Sequence, residues 1–72
     1  MSQKTACKRM EFIRKLQDEL NFYGPVSISG RQYMLYNGQR FAIPENEIFT
    51  VSQFRTLIRE VDGMVSSEEW QF

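Results

Sequence analysis

The run from Phe49 to Gly63, F-T-V-S-Q-F-R-T-L-I-R-E-V-D-G, constrains this chain most, because it specifies a helix at both ends and along one face. Thr50 is placed to accept a hydrogen bond from a free backbone N–H. Gln53, three residues on, is placed to reach back to the Thr50 N–H, and the two make a capping box. Phe49 before the cap and Phe54 in the first turn have the spacing of a hydrophobic staple. Val51, Phe54, Leu57, Ile58 and Val61 recur at helical spacing and form one apolar stripe. Asp62-Gly63 is the expected stop, with Gly63 in the left-handed conformation that closes a helix. Ser52, Arg55, Thr56 and Arg59 lie off the stripe, and Arg55 and Arg59, four apart, project from neighbouring turns of one face.

Such a stripe must be buried against something, and 72 residues leave little to bury it on. A chain of this length is expected to form one small domain, residues 1–72, burying only about 60% of its unfolded surface. Small scaffolds often add staples. A disulfide is ruled out because Cys7 is the only cysteine, and zinc is disfavoured at its usual spacings because there is no histidine. Stability is then expected from local signals, from self-association, or from an aromatic core, for which six Phe, three Tyr and Trp70 are available. That aromatic content favours a folded chain over a disordered one.

The rest of the chain supplies the elements to pack against. Residues 1–4 read as a frayed start, and Thr5 is the expected cap of a first helix running to about Asn21. Ala6, Met10, Phe12, Ile13, Leu16 and Leu20 share its apolar face. Glu11–Lys15, Arg14–Asp18 and Lys15–Glu19 have the spacing of weakly stabilising pairs. The cations gather at the N-terminal end of this helix and the acids at the other, against the macrodipole, at a cost of a fraction of a kcal/mol per charge. Lys4, Lys8 and Arg9 there suit either an anion contact or an ordinary solvated surface. Gly24, in left-handed conformation, and Pro25 are expected to end the helix, with Phe22 and Tyr23 packing at the corner.

The middle reads as β. Gln32–Asn37 and Gln39–Ile43 flank Asn37-Gly38, the strongest short hairpin signal because both central residues of a type I′ turn need positive φ. Tyr33 and Leu35 point to one face, Gln32, Met34 and Tyr36 to the other. Val26-Ser27-Ile28 before Ser29-Gly30 is a candidate third short strand that would make a meander. A hairpin alone is marginal in water, so helices must cover one side. Pro44–Glu47 is a connector, and residues 66–72 form an acidic-aromatic C-terminal tail, in which Ser66 and Glu69 have capping-box spacing. The expected fold is therefore α+β, an α-β-β-α chain whose antiparallel hairpin packs against two helices. Its expected core is Phe12, Ile13, Leu16, Leu20, Leu35, Phe41, Ile43, Phe54, Leu57, Ile58 and Val61.

Little in the chain suggests catalysis. The commonest general base is missing, Cys7 has no histidine to activate it, and the four glycines form neither a P-loop nor a dinucleotide fingerprint. Lys4 and Lys8 beside Cys7 are of a kind that lowers a thiol pKa, although an incidental cysteine is the ordinary case. No enzyme activity and no cofactor is expected. No apolar run approaches the ~20 residues that span a bilayer, no export signal is present, and a free cysteine suits the cytoplasm.

Two binding readings remain. The preferred one is a non-catalytic protein-interaction module. In the tail E-E-W-Q-F, Glu68 and Glu69 precede Trp70 and Phe72, so aromatic rings can enter an apolar pocket while the acids meet basic residues. The exposed hairpin edge also suits strand addition or homodimerisation. The alternative is a small DNA- or RNA-binding regulator that uses the Arg55/Arg59 helix face with Ser52. Arg31 and Arg40 of the hairpin, with Tyr33 and Tyr36, would add backbone contacts or a stacking platform. Zero net charge argues against a strongly basic nucleic-acid binder. Residues 1–44 hold seven Lys/Arg against three Asp/Glu, a formal +4, and residues 45–72 two against six, a formal −4. In size, aromatic density and lack of catalytic groups the chain resembles in style the small accessory proteins of phages and mobile elements. Many of those bind and inhibit or redirect a host complex. No motif carries that likeness.

Overall fold

The computed structural model describes residues 7–65. The frayed start, Thr5 as a cap, Ala6, and the tail with Ser66, Glu68, Glu69, Trp70 and Phe72 lie outside the described residues. The elements are β1 (Cys7–Lys8), α1 (Arg9–Leu20), β2 (Tyr23–Ile28), β3 (Arg31–Tyr36), β4 (Gln39–Ala42), β5 (Ile48–Phe49) and α2 (Val51–Asp62). The fold is α+β, with the two expected helices, the expected hairpin and the third strand that makes a meander, in the order β2-β3-β4.

Both meander turns are set by residue chemistry. Ser29 and Gly30 have φ of 52° and 81°, Asn37 and Gly38 of 51° and 82°, so each two-residue loop has the positive φ pair of a type I′ turn. Two-residue loops fix register. Tyr36 lies opposite Gln39, Met34 opposite Phe41, and Ile28 opposite Arg31. β2 begins earlier than the Val26-Ser27-Ile28 run, at Tyr23, with an irregularity between Tyr23 and Val26 at Gly24 and Pro25. Gly24 is thus a strand residue. The left-handed residue that ends α1 is Asn21, at φ 61°, and Phe22 N–H donates to the Leu16 carbonyl at 3.0 Å. Asparagine tolerates this conformation, and it brings the chain round directly after the last buried helix residue, Leu20.

α1 also begins later than expected. Cys7 and Lys8 are extended and pair with Phe49 and Ile48 as a second, two-stranded sheet, so the helix opens at Arg9 with no side-chain cap. This clip joins the starts of the two helices, and Arg9 N–H donates to Glu47 O at 2.8 Å across it.

α2 starts as its sequence requires. Gln53 N–H donates to Thr50 Oγ1 at 3.0 Å, and Thr50 N–H donates to Gln53 Oε1 at 2.9 Å. Asn46 extends the box, its amide exchanging hydrogen bonds with that of Gln53 at 2.8 and 3.1 Å. The stop differs from expectation. Gly63 has φ −77°, right-handed, so the chain keeps turning and Val65 N–H reaches Val61 O at 2.9 Å. That turn buries Val65.

One core cluster joins Phe12, Ile13, Leu16 and Leu20 of α1, Phe22, Met34, Phe41 and Ile43 of the sheet, and Phe49, Leu57, Val61 and Val65. Phe12 is its hub, edge-on to Phe49 at 5.7 Å and to Phe54 at 6.1 Å. Phe54 and Ile58 are partly buried against the cluster rather than inside it. Leu35, expected in the core, is not there. Its position opposite Arg40 puts it on the other face, and Met34, opposite Phe41, is the fully buried residue of β3. Met10, also expected to face inward, is 60% exposed.

Candidate interaction surface

Both helices contribute to the core on one side of the meander, and among the described residues no element covers the other side. Strand alternation and the observed register place Tyr23, Val26 and Ile28 of β2, Tyr33 and Leu35 of β3, and Ala42 of β4 on that open face. Tyr23 is 68% exposed, and Val26, Ile28, Tyr33 and Leu35 are half-buried. Arg31 and Arg40 stand on the same face. Residues 22–44 contain no Asp or Glu, so these two arginines are the only charges of the meander. The strands' own side chains on this face are apolar, aromatic and cationic, and Glu45, just beyond β4, lines a shallow groove with Arg31 and Ala42 at one end of it.

The geometry of Arg40 sharpens this. Its guanidinium carbon sits 4.9 Å from the centre of the Tyr33 ring. The ring holds the guanidinium by cation–π attraction, and among the described residues no hydrogen bond engages its N–H groups, which are open to a carboxylate or phosphate. Tyr36 takes no part. It lies on the core side, stacked on Phe22 with centroids 4.6 Å apart, so the sequence-based pairing of Tyr33 with Tyr36 as one platform is corrected. Tyr23, expected to pack at the corner with Phe22, instead joins Tyr33 on the open face.

Ser52, Arg55 and Arg59 are exposed on α2, as the stripe implied. Among the described residues neither the Arg55 nor the Arg59 side chain has a hydrogen-bond or ion-pair partner. The structure does not join them to Arg31 and Arg40. α2 buries its stripe on the core side of the sheet, and Arg31 and Arg40 project from the side away from the core. The composite cationic site is therefore two separate surfaces. Comparison with protein-family models, with curated proteins and with solved structures finds no match to this chain.

Arg9 is the residue whose role the sequence hid. It is half-buried, its Nε donates to the Pro44 carbonyl at 2.8 Å, and its terminal nitrogen donates to the Gln32 side chain. It ties the β4–β5 connector to the sheet and is not available for an anion. Only a long-range contact reveals this, so no local pattern signals it. Beside it a shallow groove of about 430 Å³ runs between Lys8, Met10, Glu45, Glu47 and Ile48, with both signs of charge at its rim. The Cys7 thiol is pushed above its ordinary pKa, by burial and then by the nearby Glu11 carboxylate. That is opposite to the lowering that neighbouring lysines would cause, and it leaves the thiol protonated at neutral pH. Among the described residues no cluster of three metal-ligating side chains exists, and no helix is long and apolar enough to cross a membrane.

Proposed function

We propose that the protein is a non-catalytic interaction module that holds an acidic segment of a protein partner against the open face of its meander. The observation that carries the reading is Arg40 held over the Tyr33 ring, within a meander whose own strands and turns carry no charge but arginine. A planar guanidinium braced on a ring is suited to bidentate contact with a carboxylate. Val26, Ile28, Leu35 and Tyr23 beside it suit the apolar side chains that flank such a carboxylate.

Size favours a segment over a whole globular surface. Strands are about 4.8 Å apart and rise about 3.3 Å per residue, so three strands of this length present roughly 300 Å². A stable interface between globular partners buries about 800 Å² on each side. The module is a small cytoplasmic regulator or inhibitor that engages a larger complex by one extended segment, in the manner of phage and mobile-element accessory proteins. The tail residues Glu68, Glu69, Trp70 and Phe72 supply a second contact in this reading.

Fluorescence anisotropy tests it with two labelled eight-residue peptides of equal composition, Glu and Val in alternation and Glu and Val in two blocks, and with an oligo-dT of eight nucleotides. At least one peptide is expected to bind, and Arg40→Ala to abolish that binding, with Arg55→Ala/Arg59→Ala leaving it unchanged. If only the oligonucleotide binds, with a steep salt dependence that Arg55→Ala/Arg59→Ala removes, the nucleic-acid reading takes its place.

A further inference from the structure

We propose that the partner segment is held as a fourth strand, added to the free edge of β4. This inference rests on the interaction-module reading and specifies how the segment is gripped.

The two edges of the meander are not equivalent. Ile43 N–H donates to Gln32 O at 2.9 Å, which makes Gln32 and Ile43 a hydrogen-bonded pair. In an antiparallel ladder such pairs alternate, so Phe41 and Gln39 also point their backbone groups at β3, and Arg40 and Ala42 point theirs outward. Among the described residues no hydrogen bond reaches these outward groups. β2, the other edge, is guarded. Pro25 has no N–H to offer, the ladder is irregular between Tyr23 and Val26, and Gln17 Nε2 occupies the Gly24 carbonyl at 2.6 Å. Proline, bulges and covering side chains are the usual means of closing a strand edge to other chains. β4 has none of them.

The open edge and the braced arginine coincide. The residue that presents free backbone groups at the rim, Arg40, also carries the guanidinium on the open face. A strand added here places alternate side chains on that face, so acids at every second position meet Arg40. The residues between them fall on the Phe41 side and are expected to be apolar. A second copy of β4 is a poorer occupant. It would bring another Arg40 to the same short edge, with no acid in residues 22–44 to balance it.

The test is amide hydrogen exchange by NMR on the full chain, with the alternating and block Glu/Val peptides. The alternating peptide is expected to bind at least tenfold more tightly than the block peptide. At saturation it should slow exchange at the Arg40 and Ala42 amides at least tenfold. Ala42→Pro removes an outward N–H without touching the β3 ladder, and should abolish the difference between the peptides. Arg40→Glu should transfer binding to an alternating Lys/Val peptide, a gain that a misfolded variant cannot produce. Equal, Arg40-dependent binding of both peptides with no protection at β4 overturns strand addition and leaves the interaction reading standing. Protection at Ser27 would move the strand to β2 and also overturn it, as would concentration-dependent protection of β4 without peptide, which would put a second copy there. Absence of binding by either peptide overturns both readings.

Discussion

Everything assigned to the open face depends on which side of β3 is buried, and a pair of substitutions on adjacent residues decides that. Met34 is fully buried in the core cluster and opposite Phe41, and Leu35 is half-buried on the other face. Truncating a fully buried Met to Ala costs about 2–5 kcal/mol, the lost transfer energy plus the cavity left behind. Leu35→Ala removes a side chain already partly in water and opens no enclosed cavity, so the expected cost is ~1 kcal/mol or less. A domain of this length has roughly 4–11 kcal/mol of stability in total. Met34→Ala therefore removes a large share of it, and Leu35→Ala little. At about 4–8 °C per kcal/mol for a small domain, the two melting temperatures should differ by roughly 4–30 °C. Thermal unfolding followed by far-UV circular dichroism gives the two midpoints. Met34→Leu, which conserves volume, should cost less than about 1.5 kcal/mol and shows that any loss is a packing effect. If Leu35→Ala costs as much as Met34→Ala, the sheet faces are reversed and the open-face surface does not exist.

Further outcomes follow from named residues. Thr50→Ala deletes the hydroxyl that accepts from Gln53 N–H and should cost about 1 kcal/mol in urea unfolding, and Thr50→Ser should restore it. Gly38→Ala meets no neighbour but must hold φ of 82°, a cost of about 1–2 kcal/mol. Gly24→Ala should cost clearly more in the same assay, because its methyl would lie 2.8 Å from Tyr33 O and 3.2 Å from Val26 N, both backbone atoms. The raised Cys7 pKa makes the folded chain bind more protons than the unfolded chain above about pH 8.5, so stability should fall as pH rises from there. Cys7→Ser should flatten that part of the pH profile, and alkylation of Cys7 at pH 8 should be slower in the folded chain than in urea. Arg40→Lys should leave the fold and the oligomeric state unchanged, and should weaken binding of the acidic peptide by about three- to tenfold.

Where the sequence was legible, the signals were local and chemical. The Thr50–Gln53 box, the Asn37-Gly38 turn and the helical stripes each act over a few residues; the box and the turn stand in the structure, and the stripes stand in part, with Met10 and Val51 exposed. The β1–β5 clip was hidden because each strand is two residues long and its only cause is a distant partner. Asn21 and Gly24 are both residues that tolerate positive φ, and which one ends α1 depends on where Phe22 must turn to reach the core. The misplacement of Leu35 had a readable remedy. A two-residue Asn-Gly loop puts Tyr36 opposite Gln39, hence Leu35 opposite Arg40 and Met34 opposite Phe41. Phe41 in the core therefore requires Met34 there as well. Arg31 and Arg40 were visible only as residues of a hairpin. The proposed role for them comes from a sheet face that, among the described residues, no helix covers, a property of three strands together.

A lone charge on an edge strand has two physical uses, and Arg40 must be weighed under both. Charged side chains at a sheet edge commonly deter other chains from pairing there. If deterrence were the whole role, the charge alone would matter, and its geometry would not. The geometry is specific: the guanidinium lies over Tyr33 at 4.9 Å, which spends a planar cation on an aromatic face and restricts the motion that makes an edge charge an effective deterrent. Deterrence would also be needed at both edges, whereas β2 is closed by Pro25 and Gln17 and bears no charge of its own. A positive charge excludes cationic and neutral strands and admits acidic ones, so at β4 the same residue guards and selects. Lysine keeps the first property and loses the planar, bidentate part of the second. A chain that keeps its oligomeric state but binds the acidic peptide less well with lysine at position 40 separates selection from simple protection.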